Sequence, residues 1–484
     1  MKILVIQLAR LGDIYQTWPT LNALVRQGHE VHLLTREKFA AAGKGCRAVH
    51  RQWVLDSRSI LQPLIDEKPD LETSLQQLSE FSNTLKSEKF DRIINLSFSP
   101  FSSFLTDALA GPTTEIKGYT RQSDGTLAIP DDSSAYFYAQ VGRDRGNRVH
   151  LTDLFASVAG VDLDGSDWKV ELPNAQPKDA SIVVHIGASD LGKTFAWSKW
   201  LQIVRGLNSL GSGNVVLVGS KEEVEIAEKV SAVSGDRPIV NLVGKTSLDD
   251  LFSIVARASL VIGGDSAPIH IATLTNTPVL NISFPSVCLW ETGPRSNGSR
   301  ILSIASEDSI ASDEIVREAK AMLKGETTEL RTVNVPGPMM PYLAGKDQSK
   351  QFQWELLKAL YMGESFPPPP NETFLLAIER LHETNVIALE QIEALGRNPG
   401  NQTAVAIIDR CDDIMVQIER AVEEVGPIIR WFQVERLRIG PQEMAALIEA
   451  NSVAHRRLGQ VLEVYGRGLN EREVGGSHDD VNLG

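Results

Sequence analysis

The sequence predicts an α/β protein made of two doubly wound halves, followed by an all-helical region. Three observations carry this. Short apolar runs alternate with helix-spaced amphipathic stretches twice over, in 1–165 and again in 175–330. A polar stretch at 161–180 separates the two series. Beyond 331–371, which contains VNVPGPMMPYLAG and the run Pro367 to Pro370, four helix-spaced segments follow with no strand pattern among them.

In the first half, KILVIQL (2–8) reads as a buried strand and Leu11-Gly12-Asp13 as a tight turn into a helix from Ile14 to about Gln27. EVHLLT (30–35) is the second strand, and apolar runs at 53–55 and 92–96 supply more. One long polar helix is expected across 60–87 and another over 101–110, and His150 to Val158 begins the closing helix. The second half opens with SIVVHI (181–186) and continues with strands at 214–218, 260–262, 278–283 and 300–304. Leu248, Leu251, Phe252 and Val255 share one face of a helix ahead of the third of these, and a helix at 312–323 ends the half. Alternating elements of this kind give parallel sheets covered by helices, with ligands at the carboxyl ends of the strands. In 331–371, a linker, residues 350–362 form a short helix. Segments 372–396, 402–425, 428–438 and 442–465 read as a three- or four-helix bundle within 372–468, and 469–484 has the composition of a disordered tail.

Composition narrows the function. The chain has 484 residues, enough for two or three cores, and 42% hydrophobic residues, an ordinary value for a globular protein. A net charge of −14 argues against nonspecific nucleic-acid binding, and the acidic excess lies mostly after residue 170. No apolar run approaches the roughly 20 residues that span a bilayer. The N-terminal MKILVIQLARLGD continues into patterned structure and is not expected to be a signal peptide. Cys46, Cys288 and Cys411 are scattered and odd in number, as in a reducing, cytoplasmic compartment.

Several residues could carry chemistry. Gly263-Gly264-Asp265-Ser266-Ala267-Pro268 lies between a short strand and a helix that Pro268 suits at its first turn. Two glycines and a helix N-terminus favour an anion; a helix capped by Asp265 or Ser266 is the simpler alternative. Asp13, after the first strand, could take a proton from a hydroxyl or cap a helix. Gly187 to Thr194, GASDLGKT, fits the Walker A expression, which requires a helix beginning at the lysine and threonine. Here helix spacing resumes only near Ser198. Glu223, beside Glu222 and after a strand, could accept from ribose hydroxyls or sit in an acidic helix turn. His185 reads as a core residue of its strand. Asp162-Leu163-Asp164 is a carboxylate pair in a polar boundary segment, and no cluster has metal-ligand spacing.

These residues also resemble a known family, the ADP-heptose:lipopolysaccharide heptosyltransferases, glycosyltransferase family 9. Asn241, Leu242 and Gly244 to Leu248 match one family segment, and Asp265, Ser266, Pro268, His270, Ala272 and Pro278 match the next. Leu11, Gly12, Asp13 and Pro19 match the N-terminal segment, and Lys193 and Trp200 keep a family spacing. Ala267 stands where the family has glycine, Gln7 where many members have a basic residue, and Phe195-Ala196 where they have Trp-Pro. The resemblance implies a GT-B fold of two Rossmann-like domains over 1–325, with acceptor domain first and donor domain second. It implies inverting, metal-independent transfer of heptose from ADP-heptose to a glycan hydroxyl, by default in the lipopolysaccharide inner core. Asp13, on the Gly12 turn, would be the general base. Lys193 would neutralise the leaving diphosphate, with Ser189, Thr194, Glu223, Asp265, Ser266, Ala267 and His270 holding the donor. No cofactor is implied, ADP-heptose being a substrate. Such an acceptor allows peripheral contact with the inner membrane, and the apolar faces of the helical tail allow a homo-oligomer. The alternatives are transfer to a protein or another glycan, an inactive nucleotide-sugar-binding homologue, and a P-loop nucleotide hydrolase using 187–194.

Overall fold

The computed structural model describes residues 1–170, 177–187, 191–211, 213–232, 238–328, 330, 332–335 and 350–475. The chain divides into two compact units: Met1–Lys117 with Arg148–Gly345, and Gly118–Asn147 with Lys346–Gly484. In chain order the elements begin with β1 (Lys2–Ile6), α1 (Leu11–Arg26), β2 (Glu30–Arg36), α2 (Ala40–Lys44), β3 (Arg51–Leu55), α3 (Ser57–Ile65), α4 (Leu71–Ser87), β4 (Arg92–Asn95), α5 (Pro100–Leu109) and β5 (Glu115–Gly118). Then come β6 (Thr120–Arg121), β7 (Leu127–Ala128), α6 (Asp132–Gln140) and α7 (Leu151–Ala159). The second series is β8 (Ile182–His185), α8 (Trp197–Ser209), β9 (Val215–Val218), α9 (Val224–Ser231), β10 (Val240–Asn241), α10 (Leu248–Arg257), β11 (Leu260–Gly263), α11 (Ala267–Leu274), β12 (Val279–Ser283), α12 (Leu289–Thr292), β13 (Arg300–Ser303), α13 (Ser312–Lys324) and β14 (Thr332–Asn334). Last are α14 (Gln351–Met362), α15 (Glu372–Arg397), α16 (Gln402–Ala421), α17 (Gly426–Leu437) and α18 (Met444–Gly475).

Among the described residues the first unit holds a sheet ordered β3-β2-β1-β4-β5 and another ordered β10-β9-β8-β11-β12-β13-β14. Strand pairing from β3 through β4, and from β10 through β13, is parallel; β14 is antiparallel to β13. In each sheet the strand order reverses once, between β1 and β4 and between β8 and β11. The carboxyl ends there open a crevice, which is where such sheets bind ligands. The residues after β1, β8 and β11 are therefore the ones the topology gathers.

The strands are continuous apolar runs because helices cover both faces. Ile182, Val184, Leu217, Ile262, Leu280 and Ile282 of the second sheet are buried against Trp200, Ile203 and Leu207 of α8 and Ile315 and Ala319 of α13. The single helix expected over 60–87 is in fact two. Pro69 cannot donate a backbone hydrogen bond, and Asp70 caps α4 by accepting from Thr73 N–H. Helix α1 begins at Leu11, so Gly12 and Asp13 lie inside its first turn and not in a turn before it.

The second unit has its own core. Phe374, Ile378 and Leu381 of α15, Ile428 and Phe432 of α17, and Leu458, Leu462 and Tyr465 of α18 form one buried cluster. Segment 118–147, which sequence places within 1–165, belongs by its contacts to this unit. Gln140, fully buried at the end of α6, donates to the Tyr361 hydroxyl at 3.2 Å and to the Pro427 carbonyl at 3.1 Å. Arg438 donates to the Ile129 carbonyl at 3.2 Å and pairs with Asp132 at 2.8 Å. Of the tail expected to be disordered, 469–484, residues 469–475 continue helix α18, which corrects that expectation, and 476–484 lie outside the described residues. Among the described residues, no helix is long and apolar enough to cross a membrane.

Candidate active site

The first turns of α1 and α11 meet. A methyl group on Gly12 would lie 2.8 Å from the imidazole Cδ2 of His270, so only glycine permits this approach. Asp13, the third residue of α1, turns its carboxylate back to accept from the Arg10 backbone N–H at 3.0 Å. The carboxyl is held above the ordinary carboxylate range. Burial is the main cause, opposed by the Arg10 hydrogen bond and the proximity of His270. Asp13 is thus neither a free turn residue nor an N-cap: it is an N-terminal helix residue facing α11.

Asp265 links this corner to the loop after β8. One of its oxygens is 3.7 Å from His270 Nε2 and the other 3.7 Å from Lys193 Nζ. The oxygen facing His270 is buried and makes no hydrogen bond among the described residues. Burial lowers the His270 pKa, while Asp265 and Asp13 pull it the other way. The result is a row Lys193, Asp265, His270, Asp13 across the carboxyl ends of the two sheets.

Ser266 has the extended backbone of an N-cap, but its side chain does not cap α11. Its hydroxyl lies 3.1 Å from His185 Nδ1 and 3.1 Å from the Gly264 carbonyl. Nor does Asp265 serve as a cap, so the simple capped-helix alternative fails. Ala267 is the first residue of α11, followed by Pro268.

The loop after β8 is anchored from behind. Thr194 donates to the Ile186 carbonyl at 2.9 Å and accepts from the Trp200 indole at 2.9 Å, so its hydroxyl is committed to the protein, which corrects its assignment to donor contact. Phe195 fills the core against Trp200 and Phe284, which accounts for an aromatic residue there. Ser189 lies outside the described residues. A short 3-10 turn, Leu191–Lys193, precedes α8, which starts only at Trp197. No helix begins at Lys193 and Thr194, so the P-loop alternative is not supported.

Glu223 and Glu222 are now distinguishable. Glu223 accepts from Ser220 N–H at 2.5 Å and lies against Gly187, where an added methyl would come within 2.4 Å of its carboxyl carbon. It therefore sits at the carboxyl ends of β8 and β9, whereas Glu222 is exposed. The Asp162-Leu163-Asp164 pair faces Arg26, whose guanidinium donates to the Asp162 carbonyl at 2.7 Å and pairs with Asp164 at 3.1 Å. Among the described residues no three His, Cys, Asp or Glu side chains group as metal ligands.

Sequence reasoning missed three features. His185, assigned to the core, is also the partner of Ser266. Trp18 stacks on Phe252 at 5.3 Å with Tyr15 edge-on to the same ring, joining α1 to α10. Buried Arg295 pairs with Asp153 of α7 at 2.7 Å. Each joins residues far apart in sequence, for which local spacing carries no signal.

Comparison with known proteins bears on the family and the fold. The model of glycosyltransferase family 9 (heptosyltransferase) matches residues 78–318. The lipopolysaccharide core heptosyltransferase OpsX of Haemophilus influenzae is 33% identical over 133 residues, 26% of this chain and 38% of that protein. The chain thus aligns with little more than a third of this curated relative. A family 9 glycosyl transferase structure from Veillonella parvula matches 67% of this chain and 98% of its own, with TM-score 0.54 and 19% identity. The Escherichia coli heptosyltransferase WaaC, solved with ADP, matches 66% of this chain and 100% of its own, with TM-score 0.51 and 15% identity. These likenesses place the two doubly wound halves in the GT-B fold, with the helical region additional to it. With its family model running through Lys193, Asp265 and His270, the chain belongs to glycosyltransferase family 9, the heptosyltransferases.

Proposed function

We propose that this chain is an inverting, metal-independent glycosyltransferase moving heptose from ADP-heptose to a glycan hydroxyl, with the lipopolysaccharide inner core as acceptor. The observation that carries this is the row Lys193, Asp265, His270, Asp13, which joins the start of α11 to a half-buried carboxylate on α1. The naming of OpsX for the lipopolysaccharide core and the ADP complex of WaaC support the same donor and acceptor.

Asp13 accepts the proton of the acceptor hydroxyl, and a raised pKa makes it a stronger base than an ordinary carboxylate. The hydroxyl oxygen attacks the anomeric carbon as the bond to the diphosphate breaks, so one displacement inverts that centre. Negative charge grows on the departing ADP. Lys193 and the Ala267 backbone N–H at the start of α11 meet it, in positions set before the reaction begins. His270, buried and biased towards the neutral form, donates a hydrogen bond to substrate oxygen. Glu223, at the ends of β8 and β9, accepts from the ribose hydroxyls. The second unit is an accessory helical domain.

The test is mass spectrometry of products after incubating the chain with ADP-heptose and a core oligosaccharide acceptor in the presence of EDTA. The expected result is acceptor heavier by one heptose with matching ADP release. No transfer to any glycan acceptor, with ADP-heptose intact, would refute the assignment.

A further inference from the structure

Gln7, the residue after β1, is fully buried, a place where a side-chain amide needs partners for all its polar atoms. Its Nε2 donates to the Leu96 carbonyl at 3.3 Å and to the Thr17 hydroxyl at 3.2 Å, and its Oε1 accepts from the Ala9 N–H at 3.3 Å. The reversed amide would set Oε1 against the Leu96 carbonyl, two acceptors, and Nε2 against the Ala9 N–H, two donors. The amide therefore has one way to sit. Both of its protons go to the protein, so the side chain holds the fold around it and does not reach a substrate.

Two arms of this network end at Asp13. The Thr17 hydroxyl, accepting from Gln7, keeps its own proton for the Asp13 carbonyl at 2.8 Å. On the other side, Gln7 holds the Ala9 N–H, and the next N–H along the chain, that of Arg10, donates to the Asp13 carboxylate at 3.0 Å. Ser97, from the end of β4, accepts from the Leu8 N–H at 2.6 Å and donates to the Ile6 carbonyl at 3.2 Å. In the loop between β1 and α1, three successive N–H groups thus each have a side-chain acceptor.

We infer that Gln7 is a positioning residue for the proposed general base: it fixes the carbonyl of Asp13 through Thr17 and the carboxylate through residues 8–10, and so sets the direction in which Asp13 meets the acceptor. The inference rests on the reading of Asp13 as base and adds a residue behind it. Burial raises the Asp13 carboxyl and the Arg10 hydrogen bond opposes that rise, so loosening the loop lets the carboxyl rise further. The charged groups that act on Asp13 are His270, Asp265 and Arg10, and substitutions at 7 or 17 alter none of them.

The experiment follows single-turnover heptose transfer against pH in the full chain, with ADP affinity measured beside it by calorimetry. Gln7→Met keeps an unbranched side chain of similar volume and removes all three hydrogen bonds. The transfer rate is expected to fall about tenfold, as for a misdirected base, with ADP affinity within about twofold of wild type. The acid limb of the rate is expected to move to higher pH. Thr17→Val cuts only the link to the Asp13 carbonyl and leaves Ala9 and Leu96 paired, so it serves where Gln7→Met does not fold. It is expected to slow transfer about threefold and to move the limb the same way. A merely structural role would lower the unfolding midpoint and leave the acid limb in place. An acid limb that stays in place, a rate within about twofold of wild type, or a parallel loss of ADP affinity overturns the inference while leaving the base standing. A wild-type rate with no acid limb, or near-normal transfer by Asp13→Asn, overturns the base and this inference together.

Discussion

At the scale of the residue, Asp13 carries a cost beside its proposed function. Burial favours its protonated form in the folded protein, so its folded pKa lies above the unfolded value. The sign follows from linkage: the group is most favourable to folding at low pH, and this contribution is lost as pH rises through the folded pKa. Asp13→Asn is therefore expected to raise the thermal unfolding midpoint at pH 7. It should also remove part of the pH dependence above the ordinary carboxylate value, as scanning calorimetry between pH 4 and 8 can measure. Catalysis runs the other way: kcat should fall as pH drops through the raised value, because a protonated base accepts nothing. The chemical residue types were legible in the sequence because they stand in short motifs after strands. The Thr194 hydroxyl was not, since its commitment to Trp200 and Ile186 depends on the path of the loop. His185 was hidden for the same reason: its partner is 81 residues away.

At the scale of the element, the site depends on how closely α1 approaches α11. Gly12→Ala would place a methyl 2.8 Å from the His270 ring, and the ring must move. A stability loss of about 1–3 kcal/mol is expected from overpacking. Turnover should fall at least tenfold, out of proportion to any change in ADP affinity, because the first turns of α1 and α11, which carry the proposed base and donor contacts, separate. Denaturant titration and steady-state kinetics measure the two effects. Nearby, Phe252 stacks on Trp18 and is 6% exposed, so Phe252→Ala should cost about 3–5 kcal/mol by the same titration. Element types were largely legible, because period-2 and period-3.6 patterns are local. The break between α3 and α4 was missed because apolar spacing runs on across Pro63 and Pro69, whereas the backbone restarts at the Asp70 cap. The early start of α1 was missed because its first turn is fixed by Asp13 reaching back to Arg10, a bond that apolar periodicity does not report.

At the scale of the whole molecule, the helical region is not a simple appendage to the end of the chain. Segment 118–147 leaves the first sheet and shares a core with the C-terminal helices, with Gln140 bonded to α14 and to the start of α17. A chain ended at residue 345 would strip the cover from Tyr136, Ala139 and Gln140, all buried. Such a chain is expected to elute from size exclusion as aggregate, whereas the full chain elutes as a discrete species. Two α/β halves and a helical bundle could be read from the order of patterns, but the membership of 118–147 could not. Its partners lie more than two hundred residues further on, and its own strands are only two residues long. The central claim, however, concerns the first unit: one sheet supplies a base and the other grips a diphosphate. The most direct test is kcat for heptose transfer by Asp13→Asn, measured beside its ADP affinity. The account predicts a loss of at least a hundredfold in kcat with ADP affinity within about twofold of wild type. Near-normal turnover in Asp13→Asn would contradict it.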